Sequence, residues 1–430
     1  MRVLILGAGV SGAAAARLAR RCGYRVTVYD RSDAPTRRLA AEGFATVSGD
    51  WRADLLEGVE VVVTSPGFAE TSPPITDALE AGVEVWSEIE FAARHLERPI
   101  VAVTGTNGKT TVTELISSML KAGGVDAPAL GNIGAPLSDA VGEEMDVAVV
   151  ETSSFQLRFI DRFHPRIAVV TNVAVDHLDW HRSEGSYRKA KARIFENQGP
   201  DDDLVFDGDD AGARDLVSVA RSRRWAVGSG EGEGDWGIRG DVLRIPGGEV
   251  ELDRLAIDDP ILLTDVALAA VVAGLHGLGT EAVATVASSF RPSPHRRTVV
   301  GTWRGIRFVD DSKATNPHAA VAAIAAFAPV VLIAGGQAKG LDLRPLVEHP
   351  GVRRVVAIGE AAPVLEAFDP EKVIRVDGLT EAVQEATAVA RVGDTVLLAP
   401  GCASFDMFAS YAERGDAFTD AVSTIMEVPR

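Results

Sequence analysis

VAVTGTNGKTT, residues 101–111, is the stretch on which the fold turns. An aliphatic run breaks into Gly105 and Gly108, followed at once by Lys109, Thr110 and Thr111. Two glycines let a backbone curl until successive N–H groups, here those of Gly105, Thr106, Asn107 and Gly108, face one anion. Lys109 adds charge for the outer phosphates, and the Thr110 hydroxyl stands where Mg²⁺ bridges them. The usual phosphate loop has a further glycine where this chain has Val103, so the loop is a variant. Its context, strand before and helix after, predicts a nucleoside triphosphate site on a parallel sheet.

Outward from this loop the chain alternates strands and helices. RVLIL (2–6), RVTVYD (25–30) and VEVVVTSPG (59–67) read as strands of a first unit ending near residue 93. RHLERP (94–99) reads as a linker. IVAVTG, DVAVVE (146–151), IAVVTN (167–172) and DLVFDG (203–208) then build a second unit. Residues 228–257 are rich in Gly and Asp and predict hairpins, and ILLTDVALAAVVAGLHG predicts a long helix. FRPSPHRR (290–297) reads as a second hinge, before the strands of IRFVDD, VVLIAGG, RRVVAIGE, KVIRV and DTVLLAPG. The expected fold class is therefore α/β with three domains, 1–93, 94–292 and 293–430. The first and last are Rossmann-like, and the middle one is a P-loop ATPase-like domain.

Composition narrows the function. The 430 residues carry a formal charge of −18, which disfavours binding to a nucleic-acid backbone. Cys22 and Cys402 alone support neither a disulfide framework nor a zinc site. The start, MRVLILGAGVSG, lacks a signal-peptide layout, and no apolar run reaches the ~20 residues of a membrane span. A cytoplasmic enzyme without membrane insertion is expected.

Three further constellations carry chemistry. Gly7-x-Gly9-x-x-Gly12 follows a strand and precedes a helix, and Asp30 ends the next strand. That pattern suits the pyrophosphate of NAD, equally a nucleotide-sugar diphosphate, or a tight turn holding nothing. Glu151 ends a strand at the sheet edge where ligands gather. His177, flanked by Asp176 and Asp179, is a metal-ligand candidate or a surface histidine in a polar turn. His181 reads as a bystander, and Lys191 is one of several cations on a helix. Finally DDSKATNPHA, GGQAKGLD and PGCASFDMFASYAERG each follow a strand, and together would line one edge of the third domain.

GTNGKTT, ETSSFQL (151–157), TNVAVDHLD (171–179), AKARIFEN (190–197), HRR (295–297), DSKATN (311–316), GGQAKG (335–340) and CASFDMF…ERG (402–415) occur in that order. In this order they resemble the Mur ligases, over essentially the whole chain, and among these the glutamate-adding branch. The resemblance implies that ATP phosphorylates the carboxylate of UDP-N-acetylmuramoyl-L-alanine and that the glutamate amine displaces phosphate. It implies ATP and two Mg²⁺ ions as cofactors and a monomeric enzyme. It places Gly105, Thr106, Asn107, Gly108, Lys109, Thr110, Thr111, Asp265, Arg296 and Asp311 around ATP. Lys109, Glu151, His177 and Lys191 become catalytic, with Thr110, Glu151, His177 and a carbamylated Lys191 as metal ligands. Ser11, Gly12, Asp30, Arg31, Ser65, Gly67 and Asn132 would face the UDP substrate, and Thr315, Lys339, Ser404 and Tyr411 the glutamate.

One departure stands out. The family's HNxxN stretch is DPILLTDVALAA here, with Asp265 at the second asparagine and an apolar residue at the first. Base preference and glutamate chirality stay open at this level. Another Mur-type ligase, a folylpolyglutamate synthase, an NAD-dependent oxidoreductase with a fused nucleotide-binding module, and a silent scaffold are the alternatives.

Overall fold

The computed structural model describes residues 1–229, 236–255, 257 and 259–427. Residues 230–235 and 256, part of the expected hairpin stretch, lie outside the described residues. The chain divides into two compact units. One holds residues 1–173, 185–258 and 262–290, and the other 174–184, 259–261 and 291–430.

The first unit contains two sheets. Strands β1 (Arg2–Leu6), β2 (Arg25–Asp30), β3 (Ala45–Ser48), β4 (Val61–Thr64) and β5 (Glu84–Ser87) form a parallel sheet in the order β3-β2-β1-β4-β5. β1 is flanked by β2 on one side and β4 on the other, so the connections after it diverge and leave a crevice at its carboxyl end. β6 (Ile100–Thr104), β7 (Ala129–Gly131), β8 (Ala148–Glu151), β9 (Ile167–Val170), β10 (Asp203–Asp207) and β11 (Arg223–Gly228) belong to the second sheet. β12 (Trp236–Arg239), β13 (Val242–Ile245) and β14 (Gly248–Glu251) extend it as antiparallel hairpins beyond β11, in the order β14-β13-β12-β11-β10-β9-β6-β8-β7. Here β6 is the divergence point, between β9 and β8.

The strands at both divergence points are short and aliphatic because both faces are covered by helices. Val3 to Leu6 and Val101 to Val103 are all at most 1 % exposed. One hydrophobic cluster runs from Val3, Ile5 and Ala15 through Phe91 to Ala102, Leu137, Val150 and Phe163, so both sheets share a core. The long helix Pro260–Leu275 is apolar on all sides and correspondingly buried.

The second unit has one sheet, β15 (Thr298–Trp303), β16 (Ile306–Asp310), β17 (Val330–Gly335), β18 (Val352–Ile358), β19 (Val373–Arg375) and β20 (Thr395–Leu398). Its order is β15-β16-β20-β17-β18-β19, with only β15 antiparallel. β20 lies between β16 and β17, so the loops after these three strands emerge side by side. Among the described residues no helix is long and apolar enough to cross a membrane.

Candidate active site

At the carboxyl end of β1 the first glycine loop opens a cleft of about 610 Å³, lined by Gly7, Gly9, Ser11, Asp30, Arg31, Ser65, Gly67 and Phe68 among others. Gly7 has φ +99°, and a Cβ there would fall 1.9 Å from Ser65 Oγ. Gly12 does not line the cleft. It is buried in helix Val10–Arg21, where a Cβ would fall 1.8 Å from the Gly7 carbonyl, so its role is to let helix and loop touch. Asp30 turns inward on the loop itself: one carboxylate oxygen accepts from Ala8 N at 2.8 Å and the other from Ser32 N at 2.8 Å. The cleft thus joins an anion-facing helix N-terminus at Gly9 to a serine-lined wall, with Arg31 at its rim.

The second loop leaves β6. Gly105 has φ +154° and Gly108 φ +82°, conformations that favour glycine. A Cβ on Gly105 would lie 1.9 Å from Thr171 Oγ1, and one on Gly108 would lie 2.7 Å from an Asp265 carboxylate oxygen. The residues after β9 grip the loop. Thr106 N donates to Asn172 O at 2.8 Å, and Asn107 N to Asn172 Oδ1 at 2.9 Å. Asn172 Nδ2 and Thr171 Oγ1 both donate to Asn107 O. Lys109 Nζ lies across the loop, donating to the Gly105 and Thr106 carbonyls at 3.1 and 2.9 Å. Thr110 is partly exposed at the start of helix Lys109–Ala122, whereas Thr111 is buried beneath it.

β8 runs beside β6 with Glu151 in register with Val103, so Glu151 is delivered to the root of the loop. It is 2 % exposed. Its Oε1 accepts from Asn132 Nδ2 at 2.7 Å, while its Oε2 is buried with no hydrogen-bond partner. A buried carboxylate oxygen left unsatisfied is costly, and a cation offsets that cost. Among the described residues no group of three or more His, Cys, Asp or Glu side chains is placed to hold a metal ion. Mg²⁺ takes one or two carboxylates and completes its shell with phosphate and water, so the unpartnered Glu151 oxygen fits the ion.

Lys191 departs most from its sequence impression. It is 1 % exposed, with its Nζ 4.7 Å from the centre of the Tyr187 ring and donating to Gly105 O. The Tyr187 hydroxyl in turn lies 3.0 Å from Thr106 Oγ1. Helix Glu184–Ala192 therefore presents Tyr187 and Lys191, one turn apart, to the phosphate loop.

In the second unit, His177 takes the left-handed conformation, φ 51°, at the start of helix Leu178–His181. Its backbone N donates to Asp176 Oδ1 at 2.8 Å, and Asp176 Oδ2 accepts from Asn316 Nδ2 at 3.0 Å. Left-handed backbone at a non-glycine residue is strain of the kind that clusters at functional sites. The loop after β16 carries Asp311 and Thr315. Burial pushes the Asp311 carboxyl up to about 6, against the pull of Arg297 and Arg296. Arg297 N donates to Asp311 Oδ1 at 3.2 Å, and Arg296 Nε is buried with no hydrogen-bond partner.

The three polar loops of this unit, each expected after a strand, are stitched together. Gln337 and Ala403 exchange backbone hydrogen bonds, and Gly401 N donates to Ala314 O at 2.9 Å. Ser404 is buried, and its carbonyl accepts from Met407 and Phe408. Lys339, at φ 51°, has its Nζ 6.0 Å from the Phe405 ring, and the Tyr411 ring lies 5.6 Å from Lys313 Nζ.

Sequence reasoning passed over Arg414, which is 1 % exposed and holds this edge from beneath. Its guanidinium donates to Ser312 Oγ, Ser312 O and Cys402 O, joining the loops after β16 and β20. Burial lowers its pKa to about 10. Asn172 and Tyr187 were passed over too, and so was the pairing of Asn316 with Asp176. Each acts by a contact distant in sequence, which no local pattern reveals.

Comparison with known proteins fits this geometry. Residues 1–87 match the Mur ligase MurD-like N-terminal domain, 103–248 the Mur ligase middle domain, and 295–402 the Mur ligase glutamate ligase domain. The chain is 42 % identical to the UDP-N-acetylmuramoylalanine–D-glutamate ligase of Frankia casuarinae, over 98 % of this chain and 93 % of that one. It is 40 % identical to the protein of the same name from Streptomyces avermitilis (98 % and 97 % covered), and 38 % to that from Pelotomaculum thermopropionicum (99 % and 98 %). Among solved structures, a pseudomurein peptide ligase type C from Methanothermus fervidus superposes with a TM-score of 0.61 at 17 % identity, covering 99 % of each chain. The UDP-N-acetylmuramate–alanine ligase of Thermotoga maritima gives 0.58 at 16 %, covering 99 % of this chain and all of its own. At such identities the structures speak for the fold alone. The near full-length identity to the ligases, carried on the same three successive domains, makes the chain a member of the Mur ligase family.

Proposed function

We propose that the protein is an ATP-dependent amide ligase that joins D-glutamate to UDP-N-acetylmuramoyl-L-alanine in peptidoglycan precursor synthesis. The observation that carries this proposal is a convergence at the ends of β6 and β8. An anion cradle at 105–110, a carboxylate with one buried unpartnered oxygen, and the buried Nζ of Lys191 against Gly105 O meet there. In this assignment residues 1–93 hold the UDP moiety, 94–292 hold ATP, and 293–430 take the glutamate and carry further ATP-binding residues. The enzyme acts as a monomer in the cytoplasm.

A carboxylate is a poor acylating agent, and transfer of the γ-phosphoryl group of ATP to its oxygen creates a good leaving group. The glutamate amine then adds to the acyl carbon, and the tetrahedral adduct collapses to amide and phosphate. The first step brings two anions together, so the cradle N–H groups and Lys109 must neutralise charge where it builds up. Bound Mg²⁺ would supply further neutralisation, held by Thr110, Glu151 and a carbamylated Lys191, with His177 for a second ion. Carbamylation explains why a lysine is buried there. The neutral amine adds to CO₂, a proton departs, and a cation that would oppose the metal becomes a carboxylate-like ligand. Asp265 beside Gly108 would serve ATP in the first unit, and Arg296 and Asp311 are the ATP-binding candidates of the second. Thr315, Lys339, Ser404 and Tyr411 would face the glutamate, and Ser11, Asp30, Arg31, Ser65, Gly67 and Asn132 the UDP substrate.

The test is phosphate release from ATP and Mg²⁺ with UDP-N-acetylmuramoyl-L-alanine, adding D- or L-glutamate in parallel. Release dependent on D-glutamate is expected. Release with L-glutamate alone would overturn the stereochemistry, and release with neither would overturn the substrate assignment.

A further inference from the structure

Helix Leu137–Ala140 is only four residues long, so none of its first N–H groups and last carbonyls has a partner inside it. It follows the loop that carries Asn132, and it is held from outside. Glu88 opens helix Glu88–Ala93 of the first 93 residues and is 1 % exposed. Its Oε1 accepts from Ser138 N at 2.6 Å. The Ser138 hydroxyl lies near the same carboxylate without reaching hydrogen-bond geometry. At the other end Arg21 Nη2 donates to Ser138 O at 3.0 Å and Val141 O at 3.1 Å. A carboxylate thus meets the positive end of the short helix and a guanidinium its negative end, the favourable sense at both. Arg21 is the last residue of helix Val10–Arg21, whose first turn forms the cleft at Gly9 and Ser11.

The loop before the short helix is equally determined. Gly131 N donates to Ala135 O at 2.9 Å, and Asn132 N to Glu151 O at 3.0 Å. Gly131 has φ +96°, and a Cβ there would lie 2.5 Å from Glu151 O, so the loop is pressed against the end of β8. The Asn132 amide then fixes Glu151 Oε1, which leaves Oε2 as the oxygen available to a metal.

We infer that Glu88 is a positioning residue for the proposed reaction, acting through the clamp on helix Leu137–Ala140 and through Asn132 to aim the Glu151 carboxylate. This rests on the ligase assignment for its catalytic consequence, but not for its structural one. Glu88 touches neither reactant, yet it ties the substrate-cleft half of the unit to the metal-facing carboxylate.

Two readouts on the full-length protein test it. The first is amide hydrogen exchange at Asn132 and Ser138 in Glu88→Ala and Glu88→Gln. Exchange at both amides is expected to quicken about tenfold in Glu88→Ala, the scale of one lost charge-assisted cap. Glu88→Gln, which keeps an acceptor for Ser138 N, should restore most of the protection. Unchanged exchange at Asn132 in Glu88→Ala overturns the inference, whether or not the protein is active. The second is the Mg²⁺ concentration for half-maximal phosphate release. It should rise severalfold in Glu88→Ala while the KM for glutamate holds, and Glu88→Gln should restore it. In an Asn132→Ala background the Glu88 substitution should add nothing, and full additivity overturns the path through Asn132. Should the parent protein release no phosphate, the ligase assignment fails, and hydrogen exchange still decides the clamp. If Glu88→Ala does not fold, Arg21→Met at the opposite end of the clamp replaces it, with the same expected and overturning results.

Discussion

The two glycine loops of the first unit share a backbone solution and differ in what surrounds it. Each leaves the strand at which its sheet diverges, and each uses a left-handed glycine packed within 2 Å of where a side chain would be. Beside the loop after β1, the acidic side chain of Asp30 spends one oxygen on that loop's Ala8 N–H and the other on Ser32 N–H after β2, and the space beside it is a broad cleft. Around the loop after β6 stand two lysines, a carboxylate with a spare buried oxygen, and a helix aimed at the loop. The first arrangement can hold a phosphate, whereas the second can also change one. A phosphate-binding loop therefore declares an anion, and only the neighbouring strand ends declare a reaction.

The sharpest break in this comparison is Lys191→Ala. Phosphate release should fall about 10³-fold, the scale of losing a preorganised charged group, while UDP binding at the first loop is unchanged. A short carboxylic acid such as acetate should restore part of the activity. Near-normal turnover without added acid would remove the carbamate from the scheme. Next in size is the pair Gly105→Ala and Gly7→Ala. The first should cost about 10²-fold in turnover by displacing the cradle, and the second should raise the KM for the UDP substrate while sparing turnover at saturation. Steady-state kinetics decides, and equal effects on turnover would erase the distinction between the loops. Asp30→Asn comes third. Calorimetric titration with UDP should show about tenfold weaker binding, the worth of a charge-assisted hydrogen bond, with ATP affinity intact.

The smallest effect tests the seam between the two halves. Burial raises the Glu88 carboxyl to about 7, against the pull of the nearby Ser138 hydroxyl and of the hydrogen bond from Ser138 N, and with some help from Asp139. The folded value lies above the unfolded one. The contribution to stability is therefore complete below the unfolded pKa and is lost as pH rises through 7. The thermal midpoint of the parent should fall by a few degrees more than that of Glu88→Gln between pH 5 and pH 8.

Much of this was legible in the sequence, for physical reasons. Strands buried on both faces are runs of valine, isoleucine and leucine, and β1, β6, β9 and β17 are found that way. β3 and β15 escaped because their residues are half exposed and polar in part, and β7 because it has only three residues. The glycine loops were legible because positive φ demands glycine. The burial of Lys191 was not, since YRKAKA offers three cations and the loop that one of them reaches lies 86 positions away. Arg414 and the bond from Asn316 to Asp176 were hidden likewise, because a buried polar group is recognised by its partners rather than by its neighbours in the chain.

The course of the backbone has a practical corollary. Residues 174–184, with His177, pack as part of the C-terminal unit, where Asp176 is bonded to Asn316. Residues 259–261 do the same, with Asp259 paired to Arg297. A gene truncated after residue 290 would express a protein with two loops stripped of their lining. The excised remainder would lack the segments that close its surface. Dissecting this ligase into separately expressed parts therefore calls for grafting those two segments onto the C-terminal piece, because a cut at the sequence boundary does not divide what the fold joins.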